Sequence, residues 1–300
     1  GEGWALLSGS KILFVERFGE SKINVCEIQL PLFGETIAAG DFLGYGKDQL
    51  AVSYIGSNRL DILIHVQDGF SLRTYMLTFP LSRMKAADIN ADGQQELVVL
   101  GEEAVYVLSF QESSGEPNVC SVSLGRSVSN ADLLIGDLDG DKCSDVLIIF
   151  GEEVTCSVWG ISLFSKRDQC LVPQRDFVIN QGWGWKKAVL VDTMRDGTAD
   201  HLMIITERWP LALLYPLEGG KIASIPPLAL VAAPSPGVTP DDLDPQDAMV
   251  VDLDGDTRID ILLITKLGRA YVAWGKEIWT ERSEGTYVEL KDTAWEGDRS

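Results

Sequence analysis

The residues of this chain best suited to chemistry are carboxylates gathered into short turns. Asp137, Asp139, Asp141 and Asp145 stand at positions 1, 3, 5 and 9 of one turn, and Asp252, Asp254, Asp256 and Asp260 repeat the spacing in another. A tight turn with oxygens at these positions points them at one centre. Hard oxygen ligands of this kind suit Ca2+, which takes six to eight oxygens, better than Mg2+, which demands stricter geometry and keeps its waters. A third turn offers Asp88, Asn90, Asp92 and Glu96 at the same positions. A fourth has Asp192, Asp196 and Asp200 but puts Met194 at position 3, which leaves its occupancy open. The first retains only Asp41, with Leu43, Tyr45 and Gln49 at the other ligand positions, and is expected to be empty. Three calcium sites are expected, with the Asp192 turn as a fourth candidate. Asp and Gly are also good turn formers, but turn formation does not require the acid at position 9 that four of the five turns carry.

Each turn sits between two apolar runs, as in LLIGDLDGDKCSDVLIIFG (133 to 151) and AMVVDLDGDTRIDILLIT (248 to 265). The leading aspartates, Asp41, Asp88, Asp137, Asp192 and Asp252, are spaced by 47, 49, 55 and 60 residues. Runs of four to eight residues rich in Val, Ile, Leu and aromatics, punctuated by Gly, Asp and Ser, read as strands. Four short strands in a repeat of about fifty residues match one blade of a β-propeller. The expected fold is therefore all-β, one propeller over 1–300 with six blades of four antiparallel strands. The blades fall at about 1–33 (partial), 34–80, 81–129, 130–182, 183–240 and 241–290. A seven-bladed ring cut short is the alternative. The tail 291–300 is a poor strand by composition. The proline-rich stretch 225–247 is either a recognition loop or an insertion.

The EF-hand loop matches only in its first half, because position 12 lacks the bidentate Glu and the flanks are strands. Repeated at blade spacing, the pattern DxDxDGxxD followed by an aliphatic residue resembles the FG-GAP/VCBS family of β-propellers. That family is found in integrin α-chains, some fungal lectins and many cell-surface or scaffold proteins. The resemblance covers nearly the whole chain. It implies that each turn joins the first and second strands of a blade and carries Ca2+; a calcium held by four protein carboxyl groups has little room for substrate, so a structural role is expected. It further implies a scaffold for protein–protein interaction, cell adhesion being the integrin case.

Composition narrows the partners. With 45 acidic and 25 basic residues the formal charge is −20, which disfavours nucleic acid and anionic membranes. No apolar stretch reaches the 18 or so residues of a spanning helix, so membrane insertion is not expected. The chain begins at Gly1 rather than Met, so any leader is expected to have been removed. Five cysteines (Cys26, Cys120, Cys143, Cys156 and Cys170) without a CxxC pair fit neither a disulfide framework nor a zinc site, and read as thiols or one bridge.

Catalysis finds little support. His65 and His201, the two histidines, lie inside apolar runs away from any nucleophile motif, and no glycine-rich phosphate loop occurs in strand–helix context. The chain is expected not to be an enzyme. Trp183, Trp185 and Trp209 are candidate partner contacts, since aromatics dominate binding hot spots. The functional expectation is a binding propeller stiffened by Ca2+ that docks another protein. The alternative is a glycan-binding lectin, weakened because only Trp159 and Trp274 recur at one place in the unit. Weak four-ligand loops fill best at extracellular calcium, so a secreted or cell-surface ectodomain is favoured over an intracellular scaffold.

Overall fold

In the computed structural model the backbone is described for residues 2–18, 22–66, 69–111, 115–125, 131–152, 155–165, 170–180, 185–207, 210–223, 226–232, 243–279 and 287–292. Side chains are described within these ranges except at 2–3, 16–24, 151–180, 232 and 287–292. The chain forms two compact units, Gly1–Val128 with Phe164–Leu171, and Ser129–Leu163 with Val172–Ser300.

The first unit holds three antiparallel sheets. The first has β1 (Glu2–Ser8), β2 (Lys11–Phe18) and β3 (Lys22–Gln29); the second has β4 (Gly34–Gly40), β5 (Gln49–Tyr54), β6 (Arg59–Val66) and β7 (Gly69–Met76). The third has β8 (Arg83–Ala87), β9 (Glu96–Leu100), β10 (Ala104–Ser109) and β11 (Asn118–Ser123). Strands pair in sequence order, as short connections dictate. The second strand of each four-stranded sheet is buried along its whole length, which is why QLAVSY and ELVVL read as continuous runs. The last strands, β7 and β11, are largely exposed. Neighbouring sheets stack through apolar faces. Ile12 and Leu30 pack on Leu50, Val52, Tyr54 and Leu63, while Phe42, Leu60 and Ile62 pack with Met84, Leu97, Leu108 and Phe110.

The second unit begins with β12 (Ala131–Gly136), β13 (Asp145–Glu152), β14 (Thr155–Ser165) and β15 (Cys170–Asn180), one four-stranded sheet. It continues with β16 (Trp185–Val191), β17 (His201–Thr206), β18 (Ala212–Glu218), β19 (Lys221–Ile222), β20 (Leu228–Ala232), β21 (Pro245–Val251), β22 (Asp260–Thr265), β23 (Ala270–Ala273), the one-turn helix α1 (Gly275–Ile278) and β24 (Tyr287–Asp292). All the strands from β16 onward join one nine-stranded sheet.

Blade number is thereby corrected. The described strands form five sheets, not six or seven blades, because β20 and β24 pair in parallel, Ala229 opposite Tyr287 through Ala232 opposite Leu290. Two four-stranded halves, each with its own Asp turn, are thus welded along their outer strands. Their inner faces still stack: Val191, Met203, Ile205 and Leu214 share a core with Ile261, Leu263 and Tyr271. The tail is also better strand than its composition indicates, since Lys291 and Asp292 pair with Val272 and Tyr271. Apart from those two residues the tail lies outside the described residues, as do residues 225 and 233–242 of the proline-rich stretch.

Candidate metal centre

All five Asp turns join the first and second strands of a four-stranded unit: β4–β5, β8–β9, β12–β13, β16–β17 and β21–β22. Their backbones share one conformation. Positions 4 and 6 are left-handed in every turn: Gly44 and Gly46, Ala91 and Gly93, Gly140 and Lys142, Arg195 and Gly197, Gly255 and Thr257. At least one of the two is Gly each time, which limits the strain that a side chain suffers at positive φ.

This shape lets the leading carboxylate cap its own turn. The position-6 N–H donates to it in all five, from Gly46 (2.7 Å), Gly93 (2.9 Å), Lys142 (2.9 Å), Gly197 (2.8 Å) and Thr257 (3.0 Å). The acid at position 9 is the first residue of the next strand, or for Asp200 the residue just before it, and accepts the position-2 N–H: Ile89 to Glu96 (3.0 Å), Leu138 to Asp145 (2.9 Å), Thr193 to Asp200 (3.2 Å) and Leu253 to Asp260 (2.7 Å). Adjacent turns are also tied together. The Gln95 N–H donates to the Asp41 carbonyl (3.1 Å), and the Ala199 N–H to the Asp137 carbonyl (2.7 Å).

Among the described residues, two turns converge their acids. Oxygens of Asp137, Asp139 and Asp145 all lie within 4.8 Å of one another, as do those of Asp252, Asp254 and Asp260. Asp145 and Asp260 are buried at 3% and 1% exposure, so each cluster has a dry floor and an open mouth. These two clusters can hold a metal ion, because three convergent carboxylates form a hard, anionic oxygen set. Burial, with Asp139, Asp141 and Asp137 nearby, pushes Asp145 up to about 6. Such repulsion is what a bound cation relieves.

The remaining sequence-predicted ligands sit elsewhere. Asp141 and Asp256 at position 5 stand outside the convergent sets and accept the N–H groups of Cys143 and Arg258. In the Asp88 turn, Asn90 aims its amide nitrogen at Asp92 (2.9 Å) and Glu96 (3.4 Å). Burial, then Asp92 and Asp88, lifts Glu96 to about 7. In the Asp192 turn, Met194 is exposed, and Asp200 is taken by the Thr193 hydroxyl and by His201 Nδ1 (2.8 Å). In the Asp41 turn, Gln49 replaces the acid, donating to Asp41 (3.2 Å) and accepting from the Leu43 N–H (2.9 Å).

Sequence reasoning missed two cations. Arg195 Nη2 lies 3.1 Å from Asp252 Oδ2, and Lys276 Nζ lies 3.6 Å from Asp254 Oδ2. Neither belongs to the turn it touches, so the motif carries no sign of them.

Of the candidate partner contacts, Trp185 is buried at 7% in the core with Leu138, Leu147 and Leu202. Trp183 and Trp209 lie outside the described residues, as does the side chain of Trp159. Cys120 is disulfide-bonded, Cys143 is a buried thiol and Cys26 is an exposed thiol.

No family model and no curated protein matches the chain. Solved structures do. A crystal structure of BBS1N in complex with ARL6DN, soaked with lead, is similar over 97% of this chain and 78% of that one, with 11% identity and a TM-score of 0.60. A Bacteroides uniformis protein provisionally assigned as a 6-phosphogluconolactonase is similar over 96% and 78%, with 11% identity and a TM-score of 0.57. A Lactobacillus plantarum protein is similar over 96% and 86%, with 10% identity and a TM-score of 0.53. Such likenesses establish the fold, a β-propeller. They also correct the expectation that the chain is not an enzyme, because one similar structure bears an enzyme's name and the fold is therefore compatible with catalysis. Among the described residues no helix is long and apolar enough to cross a membrane.

Proposed function

We propose that the chain is a calcium-bearing propeller of the FG-GAP/VCBS kind that docks another protein. The observation that carries this reading is the convergence of Asp137, Asp139 and Asp145 within 4.8 Å on a floor that is 3% exposed. Ca2+ there would be structural: Asp137 after β12, Asp139 in the turn and Asp145 at the start of β13 would hold it, and its charge would offset carboxylates that otherwise repel. The Asp252 cluster is a second site, and Asp88, Asn90, Asp92 and Glu96 form a third once the Asn90 amide turns its oxygen inward. Rigid turns on a sheet scaffold are where binding surfaces concentrate. The similar BBS1N chain was itself solved in complex with another protein.

A secreted or cell-surface location accompanies this reading. It is supported by the Cys120 disulfide, since such bonds persist in oxidising compartments. Surface labelling of intact cells tests it; a chain recovered only from cytosol, with Cys120 reduced, contradicts it.

A glycan array run in Ca2+ and in EDTA, beside calorimetry against purified candidate partner proteins, tests the binding class. A saturable complex with a protein and no saturable glycan binding is expected. Saturable, Ca2+-dependent glycan binding overturns the protein-docking reading in favour of a lectin.

A further inference from the structure

The two convergent clusters have the same ligand spacing but different surroundings. Among the described residues, no cationic side chain is ion-paired to Asp137, Asp139 or Asp145. The fifth turn is already supplied. Arg195 pairs with Asp252 at 3.1 Å, and Lys276, seated 5.4 Å from the centre of the Trp274 ring, lies 3.6 Å from Asp254. Asp260 accepts two N–H groups, from Leu253 and Gly275, each at 2.7 Å.

Arg195 occupies a special place in the repeat. It is position 4 of the fourth turn, left-handed with φ 56°, where the third and fifth turns have Gly140 and Gly255. The same turn has lost its position-3 ligand to Met194, which is 76% exposed. The fourth turn thus gives up a ligand and extends a cation into the fifth. A guanidinium on Asp252 Oδ2 occupies one of the acceptor sites of that carboxylate and places a positive charge beside the cluster, both of which a metal ion must compete against.

We propose that Arg195 is the built-in counter-ion of the fifth turn, standing where a metal's charge would stand, tying the fourth turn to the fifth and making the Asp252 cluster the weaker of the two convergent sites. Lys276 assists at Asp254. The inference rests on the calcium reading above.

Calcium titration by calorimetry on wild type, R195Q, R195K and D137N, with thermal unfolding in EDTA, tests it. D137N assigns the class of sites belonging to the third turn. In the wild type the D137N-sensitive class is expected to be at least about tenfold tighter than the Asp252 class, and a D88N variant identifies any class that belongs to the second turn. R195Q should tighten the Asp252 class by roughly two- to fivefold and lower the midpoint in EDTA, while R195K, which keeps the charge, should stay nearer wild type. Arg195 is 44% exposed, so its replacement does not open the core. An unchanged or weakened Asp252 class in R195Q, with the D137N-sensitive class intact, overturns this inference alone. No calcium binding by wild type or R195Q overturns both this inference and the calcium reading.

Discussion

At the residue scale, the acids at position 9 set the pH behaviour. Burial holds Glu96 at about 7 and Asp145 at about 6, above the usual 4 or so of an unfolded chain. The folded protein therefore keeps protons that the unfolded chain releases, so their contribution is fully present below about pH 4 and is lost as pH rises through 6 and 7. In EDTA the unfolding midpoint should fall by a few degrees from pH 5 to pH 8, and E96Q with D145N should flatten the slope. Calcium reverses the sign, because the ion needs both groups ionised. A midpoint in EDTA that rises across this range would contradict the assignment. A second residue-scale test lies away from the turns. Asp61 is fully buried on β6 and is held by the Tyr54 hydroxyl, by Arg59 Nε (2.9 Å) and by Thr74 Oγ1 (2.7 Å). Burial, then Asp61 itself, pushes the Tyr54 phenol well above its usual value. D61A strands these donors and should cost about 3 kcal/mol in urea denaturation; a loss below about 1 kcal/mol would show the network to be incidental.

At the element scale, the turn between first and second strands is the repeated part, and its glycines separate two kinds of constraint. Gly46 has φ 69° with nothing within 4 Å of an added Cβ, so G46A meets backbone strain alone, about 1 kcal/mol. Gly275 opens α1, and a Cβ there would lie 2.7 Å from the Ile259 carbonyl oxygen while its N–H holds Asp260. G275A should therefore lose more stability than G46A, measured by chemical denaturation, and the reverse order would contradict the packing described. Much of this scale was legible in the sequence. Fully buried second strands such as β5 and β9 show as short apolar runs, Leu50 to Val52 and Leu97 to Leu100, and each Asp turn falls where the spacing put it. The convergence of positions 1, 3 and 9 without position 5 was not legible, because it depends on which backbone N–H each carboxylate accepts. Arg195 was hidden for a related reason: it lies 57 residues before Asp252, and only the stacking of β16 and β17 against β21 and β22 brings them together.

At the scale of the whole molecule, an excess of 20 negative charges makes self-repulsion a standing cost. Raising NaCl in EDTA should raise the unfolding midpoint by screening it, and the gain should shrink once calcium is bound; equal gains in both buffers would place the repulsion outside the turns. The fifty-residue period disclosed the propeller, yet not the count of sheets. β20 and β24 pair in parallel across a gap of more than fifty residues, and no local pattern encodes such a contact. The most direct test of the account is thermal unfolding in millimolar Ca2+ against EDTA, with bound metal counted by elemental analysis, on wild type and D137N. The account predicts bound calcium and a higher midpoint in the wild type, with most of the shift lost in D137N. No metal and no shift in the wild type would contradict it and leave the Asp turns as turns held by their own hydrogen bonds.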